Sequence, residues 1–203
     1  MPLIKNLSDH KTGIYLWKYD QEDRLDINFL IEPENRDRVK NYHPSKLLEM
    51  LMIRKMLKNR HPNSKILYRD GEPYLFPRTE EISITHSFPY AAIAFSENRI
   101  GIDIERSSPK ILRVKDKFIC PKETEFIPKE EEVRYLTIIW SIKESLYKMH
   151  HSKYWSLKRH YEVFPFSIDT PNKIRCRVHD ETISDEFYAR VKLFQNYVFT
   201  IVD

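Results

Sequence analysis

Gly101-Ile102-Asp103-Ile104-Glu105-Arg106-Ser107-Ser108-Pro109 is the stretch on which the reading of the fold turns. Its first half alternates as a strand does, sending Asp103 and Glu105 to one face and Ile102 and Ile104 to the other. Its second half stops that pattern, because Ser-Ser-Pro is a helix-starting signal. Upstream, residues 82–86, 90–96 and 99–105 read as three crowded apolar strands, with turns at residues 88–89 and 97–98. Before them, residues 66–68 and 74–76 flank the turn dipeptide Asp70-Gly71. Leu47, Leu48, Leu51, Met52, Lys55 and Met56 fall at helical spacing between the starter Pro44-Ser45 and the stop His61-Pro62. Residues 13–20 alternate as a first strand, and a charged segment around residues 32–40 leaves it by way of Pro33.

Downstream of Pro109 the character is helical at residues 111–119, again from Pro121, and over a long amphipathic run at residues 131–149. The acidic run Glu130–Glu132 suits a helix N-terminus, where carboxylates complement the macrodipole. Strands return at residues 161–168, 173–178, 186–194 and 197–202, the last two joined by Gln195-Asn196. Strand, helix and strands are thus followed by helices and then strands. This order predicts an α+β protein of two halves, residues 1–104 and 105–203, packed as one body.

Composition limits the chemistry. The 203 residues include only three glycines, Gly13, Gly71 and Gly101, so no segment has the closely spaced glycines of a P-loop or dinucleotide loop. Two cysteines, Cys120 and Cys176, cannot make a repeated CxxC metal framework, and they fit a reducing compartment. The opening residues lack the apolar run of a signal peptide, and no stretch approaches the roughly 18 apolar residues of a membrane span. A cytoplasmic protein with no membrane partner is expected. Net charge is +4, from 34 basic and 30 acidic residues. That mild bias favours an anionic ligand or acidic partner, while the interspersed signs argue against nucleic acid.

Three groups of residues are candidates for chemistry. Asp103 and Glu105, side by side on one strand face, raise each other's proton affinity unless a cation lies between them, and an all-oxygen pair suits magnesium. The ordinary alternative is a solvated edge on which Glu105 pairs with Arg99 or Arg106. In Trp140-Ser141-Ile142-Lys143-Glu144-Ser145-Leu146-Tyr147-Lys148, Trp140, Glu144 and Lys148 share one helix face, with Lys143 to one side. A carboxylate and an ammonium so placed complete a metal site and grip a phosphate, or else form a routine surface pair. Finally, Thr85-His86-Ser87 ends a strand, where imidazole, hydroxyl and backbone N–H can donate to a phosphate or simply to a local acceptor. No nucleophilic triad stands out.

In order and spacing, the turn at residues 71–73, the SITHS stretch ending at His86-Ser87, GIDIE at 101–105, KFICPKE at 117–123 and WSIKESLYK at 140–148 resemble the 4'-phosphopantetheinyl transferase superfamily. The resemblance is to its longer, pseudo-dimeric, surfactin-synthetase-activating type. It implies two similar α+β halves with the active site in the cleft between them. The implied reaction moves the phosphopantetheine arm of coenzyme A to a serine of an apo acyl or peptidyl carrier protein, releasing adenosine 3',5'-bisphosphate. By the same resemblance, Asp103, Glu105 and Glu144 bind Mg²⁺, with Mn²⁺ compatible with the same oxygen ligands. Glu144 is also a candidate to take the serine proton. Lys148 contacts the phosphates or the arm with Lys143 assisting, His86 and Ser87 hold the adenosine-side phosphate, and Lys46 and Arg69 lie at the coenzyme A edge. A monomer is implied.

Two departures stand out. Glu72 occupies the place where many relatives have lysine, with Arg69 as a substitute cation. The loop His150-His151-Ser152-Lys153-Tyr154-Trp155 has no glycine where relatives have one. These departures motivate an alternative, a degenerate relative that binds coenzyme A or carrier protein without turnover. A second enzyme class, metal-dependent phosphodiester hydrolysis by the same carboxylates, predicts nucleic-acid cleavage.

Overall fold

The structure, a computed structural model, describes residues 5–8 and 12–203. Part of the opening segment used in the targeting argument, residues 1–4 and 9–11, lies outside the described residues. In chain order the elements are β1 Lys5–Asn6, β2 Thr12–Lys18, α1 Ile27–Leu30, α2 Arg36–Val39, α3 Pro44–Arg60, β3 Lys65–Arg69, β4 Glu72–Phe76, β5 Glu81–Ser87, β6 Tyr90–Ser96 and β7 Gly101–Arg106. They continue as α4 Pro121–Thr124, α5 Glu132–Met149, α6 Leu157–His160, β8 Tyr161–Val163, β9 Ile174–His179, β10 Ser184–Phe194 and β11 Tyr197–Val202. The chain divides into two compact units, Met1–Asn98 and Arg99–Asp203. The GIDIE strand therefore belongs whole to the second unit.

In the first unit, antiparallel strands run in the order β1-β2-β6-β5, beside a separate β3-β4 ribbon. Central β6 is buried at every position, which its sequence YAAIAFS permits because no residue carries a charge. Helix α3 starts where His43 accepts from the Ser45 N–H with Pro44 at its first position, and it carries Lys58 and Arg60 in its last turn. Met52, Ile53, Met56 and Leu57 of α3 pack with Trp17, Ile93 and Phe95 of the sheet in one core cluster. The segment read as merely charged holds a 3₁₀ turn at Pro33–Asn35 and α2. The preceding α1 was not legible by period, being four residues long, and begins where the Asp26 carboxylate accepts from the Asn28 N–H.

In the second unit, five antiparallel strands run β7-β11-β10-β9-β8. The amphipathic α5 lies on this sheet, and Leu136, Ile139, Ile142, Leu146 and Met149 join Val178, Val191, Val198 and Val202 in the core. Each unit thus has the plan of an antiparallel sheet with one long helix, of 17 residues in α3 and 18 in α5. The α+β expectation is met.

Two elements differ from expectation. Residues 111–119 do not form a helix but two 3₁₀ turns, Pro109–Arg113 and Lys115–Lys117. Val114 between them sits at φ −116° and ψ 0°, outside helical geometry, and the chain then buries Phe118 completely. Strand β8 stops at Val163 because Pro165 follows with no N–H to give a ladder, Phe164 making the last bond to the Arg175 carbonyl.

Candidate active site on the second unit

Strand β7 meets α5 through every residue on one of its faces. Gly101 lies so close to α5 that a β-carbon there would stand 1.8 Å from the Ser145 carbonyl oxygen. Two residues on, the Lys148 ammonium donates to Asp103 Oδ1 at 2.7 Å and to the Ile102 carbonyl at 3.0 Å. Two further on, the Trp140 indole N–H donates to Glu105 Oε1 at 3.0 Å. The alternation read from sequence is therefore what aims both carboxylates at the helix, with Ile102 and Ile104 buried on the opposite face. Glu105 takes its partner from α5, not from Arg99 or Arg106, because its face is the helix-covered one.

Glu144 lies on the same helix stripe, between Trp140 and Lys148. Its carboxyl is held above the usual range first by burial and then by the charge of Asp103, with Lys148 opposing. Burial, then Asp103, then Glu144 push Glu105 from its usual 4.5 up to about 7, against the pull of Trp140 and Lys148. Three half-buried or buried carboxylates with a single ammonium among them form a site that lacks positive charge. A hard divalent cation with oxygen ligands answers that lack, so the donor set fits magnesium in charge and chemistry. Among the described residues, no three His, Cys, Asp or Glu side chains are already gathered as a ligand cluster.

Lys143 is a correction. It was expected beside the phosphates, but it is fully buried. Its three N–H donors are spent on Glu123 Oε2 at 2.7 Å and on the carbonyls of Phe118 at 2.6 Å and Leu157 at 3.3 Å. Glu123 is equally buried and equally satisfied, accepting also from the Cys120 and Val163 N–H groups. Adjacent helix positions project about 100° apart, so Glu144 and Lys143 face different surroundings. Lys143 ties α5 to α4 and to the start of α6, and it has no donor left for a ligand.

The remaining expected residues lie in the first unit. His86, exposed at the end of β5, is held by the α3 carboxylate Glu49, with Nδ1 3.0 Å from Glu49 Oε2. Lys46, three residues before Glu49 on α3, is exposed and lies 4.4 Å above the Tyr42 ring. Arg69 lies on the β3-β4 ribbon over Tyr74, at 5.7 Å, and Ser87 is half-buried beside His86 in β5. Within this unit α3 brings Lys46 towards His86 through Glu49, while Arg69 is on a different sheet.

Trp140 and Lys153 are among the residues whose duties the sequence did not show. Trp140 was placed on the right stripe, but its duty as the donor that orients Glu105 depends on a partner 35 positions away. Lys153 takes the left-handed backbone conformation, φ 49°, that a glycine would adopt without strain. Its ammonium donates to the carbonyls of Tyr147 at 2.9 Å and Lys148 at 2.6 Å, the unpaired end of α5. The glycine-free loop therefore makes its turn with a lysine that caps the helix it leaves.

A family model of the 4'-phosphopantetheinyl transferase superfamily matches residues 99–202, just over half the chain and nearly the whole second unit. The chain belongs to that superfamily. It is 26% identical to 4'-phosphopantetheinyl transferase Sfp of Bacillus subtilis (strain 168) over 151 residues, covering 67% of each chain. It is 32% identical to 4'-phosphopantetheinyl transferase gsp of Aneurinibacillus migulanus over 145 residues, covering 62% of this chain and 60% of that relative. These matches bear out the type expected from the sequence.

Proposed function

We propose that this protein transfers the 4'-phosphopantetheine arm of coenzyme A to a serine hydroxyl of an apo acyl or peptidyl carrier protein, releasing adenosine 3',5'-bisphosphate. The observation that carries the reading is the meeting of Asp103, Glu105, Glu144 and Lys148 where β7 faces α5, in a chain that belongs to the superfamily. Transferases of this name among its relatives support it.

Asp103, Glu105 and Glu144 would hold Mg²⁺, which when bound neutralises the pyrophosphate and stabilises charge on the leaving phosphate. The chain's own residues do the rest. Trp140 fixes the Glu105 carboxylate by its indole N–H, and Lys148 supplies a cation for phosphate oxygens beside Asp103. Glu144, whose proton affinity is raised by burial and by Asp103, is suited to take the serine proton. In the first unit, His86, Ser87, Lys46 and Arg69 serve coenzyme A. Phosphoryl transfer is mainly positioning and charge stabilisation, so no strong nucleophile is required. The protein acts as a cytoplasmic monomer in this reading. Among the described residues, no helix is long and apolar enough to cross a membrane.

The test is transfer of a fluorescent arm from a coenzyme A conjugate to an apo carrier protein, followed on a gel for wild type and Glu144→Gln. Labelling by the wild type and its loss in a folded Glu144→Gln protein are expected. Full labelling by Glu144→Gln would remove Glu144 from the mechanism.

A further inference from the structure

In the antiparallel register of β7 and β11, Thr200 lies directly opposite Asp103. Directly opposed residues share a sheet face, so the Thr200 side chain lies next to Asp103 beneath α5. There it is fully buried and enters between two α5 serines four positions apart, Ser141 and Ser145, also fully buried. Thr200 Oγ1 lies 2.9 Å from the Ser141 carbonyl, 3.0 Å from Ser141 Oγ and 2.6 Å from Ser145 Oγ. A hydroxyl has one proton and two lone pairs. Donating to the carbonyl leaves Thr200 to accept from both serines, and its capacity is then complete.

Three buried hydroxyls in a helix–sheet interface are a specific arrangement, because a slip of α5 would leave buried polar groups without partners. Ser145 is fixed a second time by its carbonyl, which rests on Gly101. Glu144 precedes Ser145 by one residue, and Lys148 follows it by three. Any sliding of α5 by one residue, about 1.5 Å, moves both active groups by the same amount relative to Asp103.

We propose that Thr200 is a positioning residue for the transfer reaction: with Ser141 and Ser145 it sets the register of α5 on the sheet, and so the placing of Glu144 and Lys148 against Asp103. This inference rests on the function proposed above. Thr200 touches no substrate and acts through the helix.

The experiment compares wild type with Thr200→Val, nearly the same shape without the hydroxyl, and Thr200→Ser, a hydroxyl without the methyl. Each is measured for kcat, KM for coenzyme A and melting temperature on an apo carrier protein. Thr200→Val is expected to lower kcat about tenfold with KM for coenzyme A little changed, because a shift of about an ångström at reacting groups costs that much or more. Thr200→Ser should recover kcat to within about twofold, although it loses packing and melts lower. A folded Thr200→Val enzyme with wild-type kcat, or a Thr200→Ser loss equal to that of Thr200→Val, would overturn the proposal. If Thr200→Val does not fold, Ser141→Ala with Ser145→Ala is measured instead. Alanine favours the helix, and the same fall in kcat is expected, with wild-type kcat again counting against the proposal. An inactive wild type would point to failure of the transferase reading, not of the hydroxyl cluster.

Discussion

The Lys148 ammonium sits 2.7 Å from Asp103 Oδ1, joining the last turn of α5 to the middle of the strand it covers. Asp103 is almost completely buried, and this ion pair offsets part of the water it has lost. In the proposed reaction the same ammonium is the cation that Asp103 holds ready for phosphate oxygens. Lys148→Met should therefore lose stability, by about 1–3 kcal/mol in urea unfolding, as expected for a pair only partly out of water. It should also lose kcat/KM on the order of 100-fold. A variant that loses stability alone would make Lys148 structural.

Glu105 gives a pH signature to the metal-free protein. Its folded pKa is raised from 4.5 to about 7, so between those values the folded state binds more protons than the unfolded one. Its contribution to stability is complete below pH 4.5 and is lost as pH rises through about 7. In EDTA, the melting temperature of wild type should fall relative to that of Glu105→Gln between about pH 5 and about pH 8. Magnesium should raise the wild-type melting temperature more at the higher pH, where Glu105 is ionised. An equal shift at both values would contradict the assignment.

The buried pair of Lys143 and Glu123 should behave as structure. Lys143→Met leaves Glu123 with an uncompensated charge and is expected to cost about 3–5 kcal/mol. Adding Glu123→Leu should restore part of that loss, since both charges are then gone. In any folded variant, KM for coenzyme A should stay close to wild type, whereas a large rise would return Lys143 to the ligand.

Lys153 offers a test of the glycine-free loop. Lys153→Gly relaxes the left-handed backbone but gives up two charge-assisted bonds to the end of α5, for a net loss of about 1–3 kcal/mol. Lys153→Ala loses the bonds and keeps the strain, so it should be about 1 kcal/mol worse than Lys153→Gly. Calorimetric melting of the two variants would decide the order.

Gly101→Ala is the most damaging small change expected. Its added carbon would meet the Ser145 carbonyl at 1.8 Å, which only a shift of α5 can relieve. A loss of about 3 kcal/mol and of nearly all transfer activity should follow, read by chemical unfolding and carrier labelling.

Much of this was legible because period and punctuation agree locally. Strand β11 has the bounds read from its run of strand-forming residues after Gln195-Asn196, and α5 begins one residue from its expected start. The pairing of Asp103 and Glu105 on one face needed only strand geometry. The direction that face looks did not follow, so Trp140 as the partner of Glu105 could not be read. Lys143 was misplaced for a related reason: helix spacing says which residues share a stripe, not which stripe meets the core. Thr200 and Glu123 were missed because their roles come from contacts 59 and 20 positions away, for which the local sequence carries no signal. The 3₁₀ turns at 109–117 imitate a helix in apolar spacing, and only the burial of Phe118 explains why the chain leaves that path.

The central claim is the transfer itself, and intact-mass analysis of an apo carrier protein incubated with this protein and coenzyme A tests it most directly, with Mg²⁺ in one arm and EDTA in the other. The account predicts a gain of one phosphopantetheine on a single serine in the Mg²⁺ arm and none with EDTA. A folded protein that adds nothing to fatty-acid, polyketide or peptidyl carriers would contradict it and favour a binder without turnover.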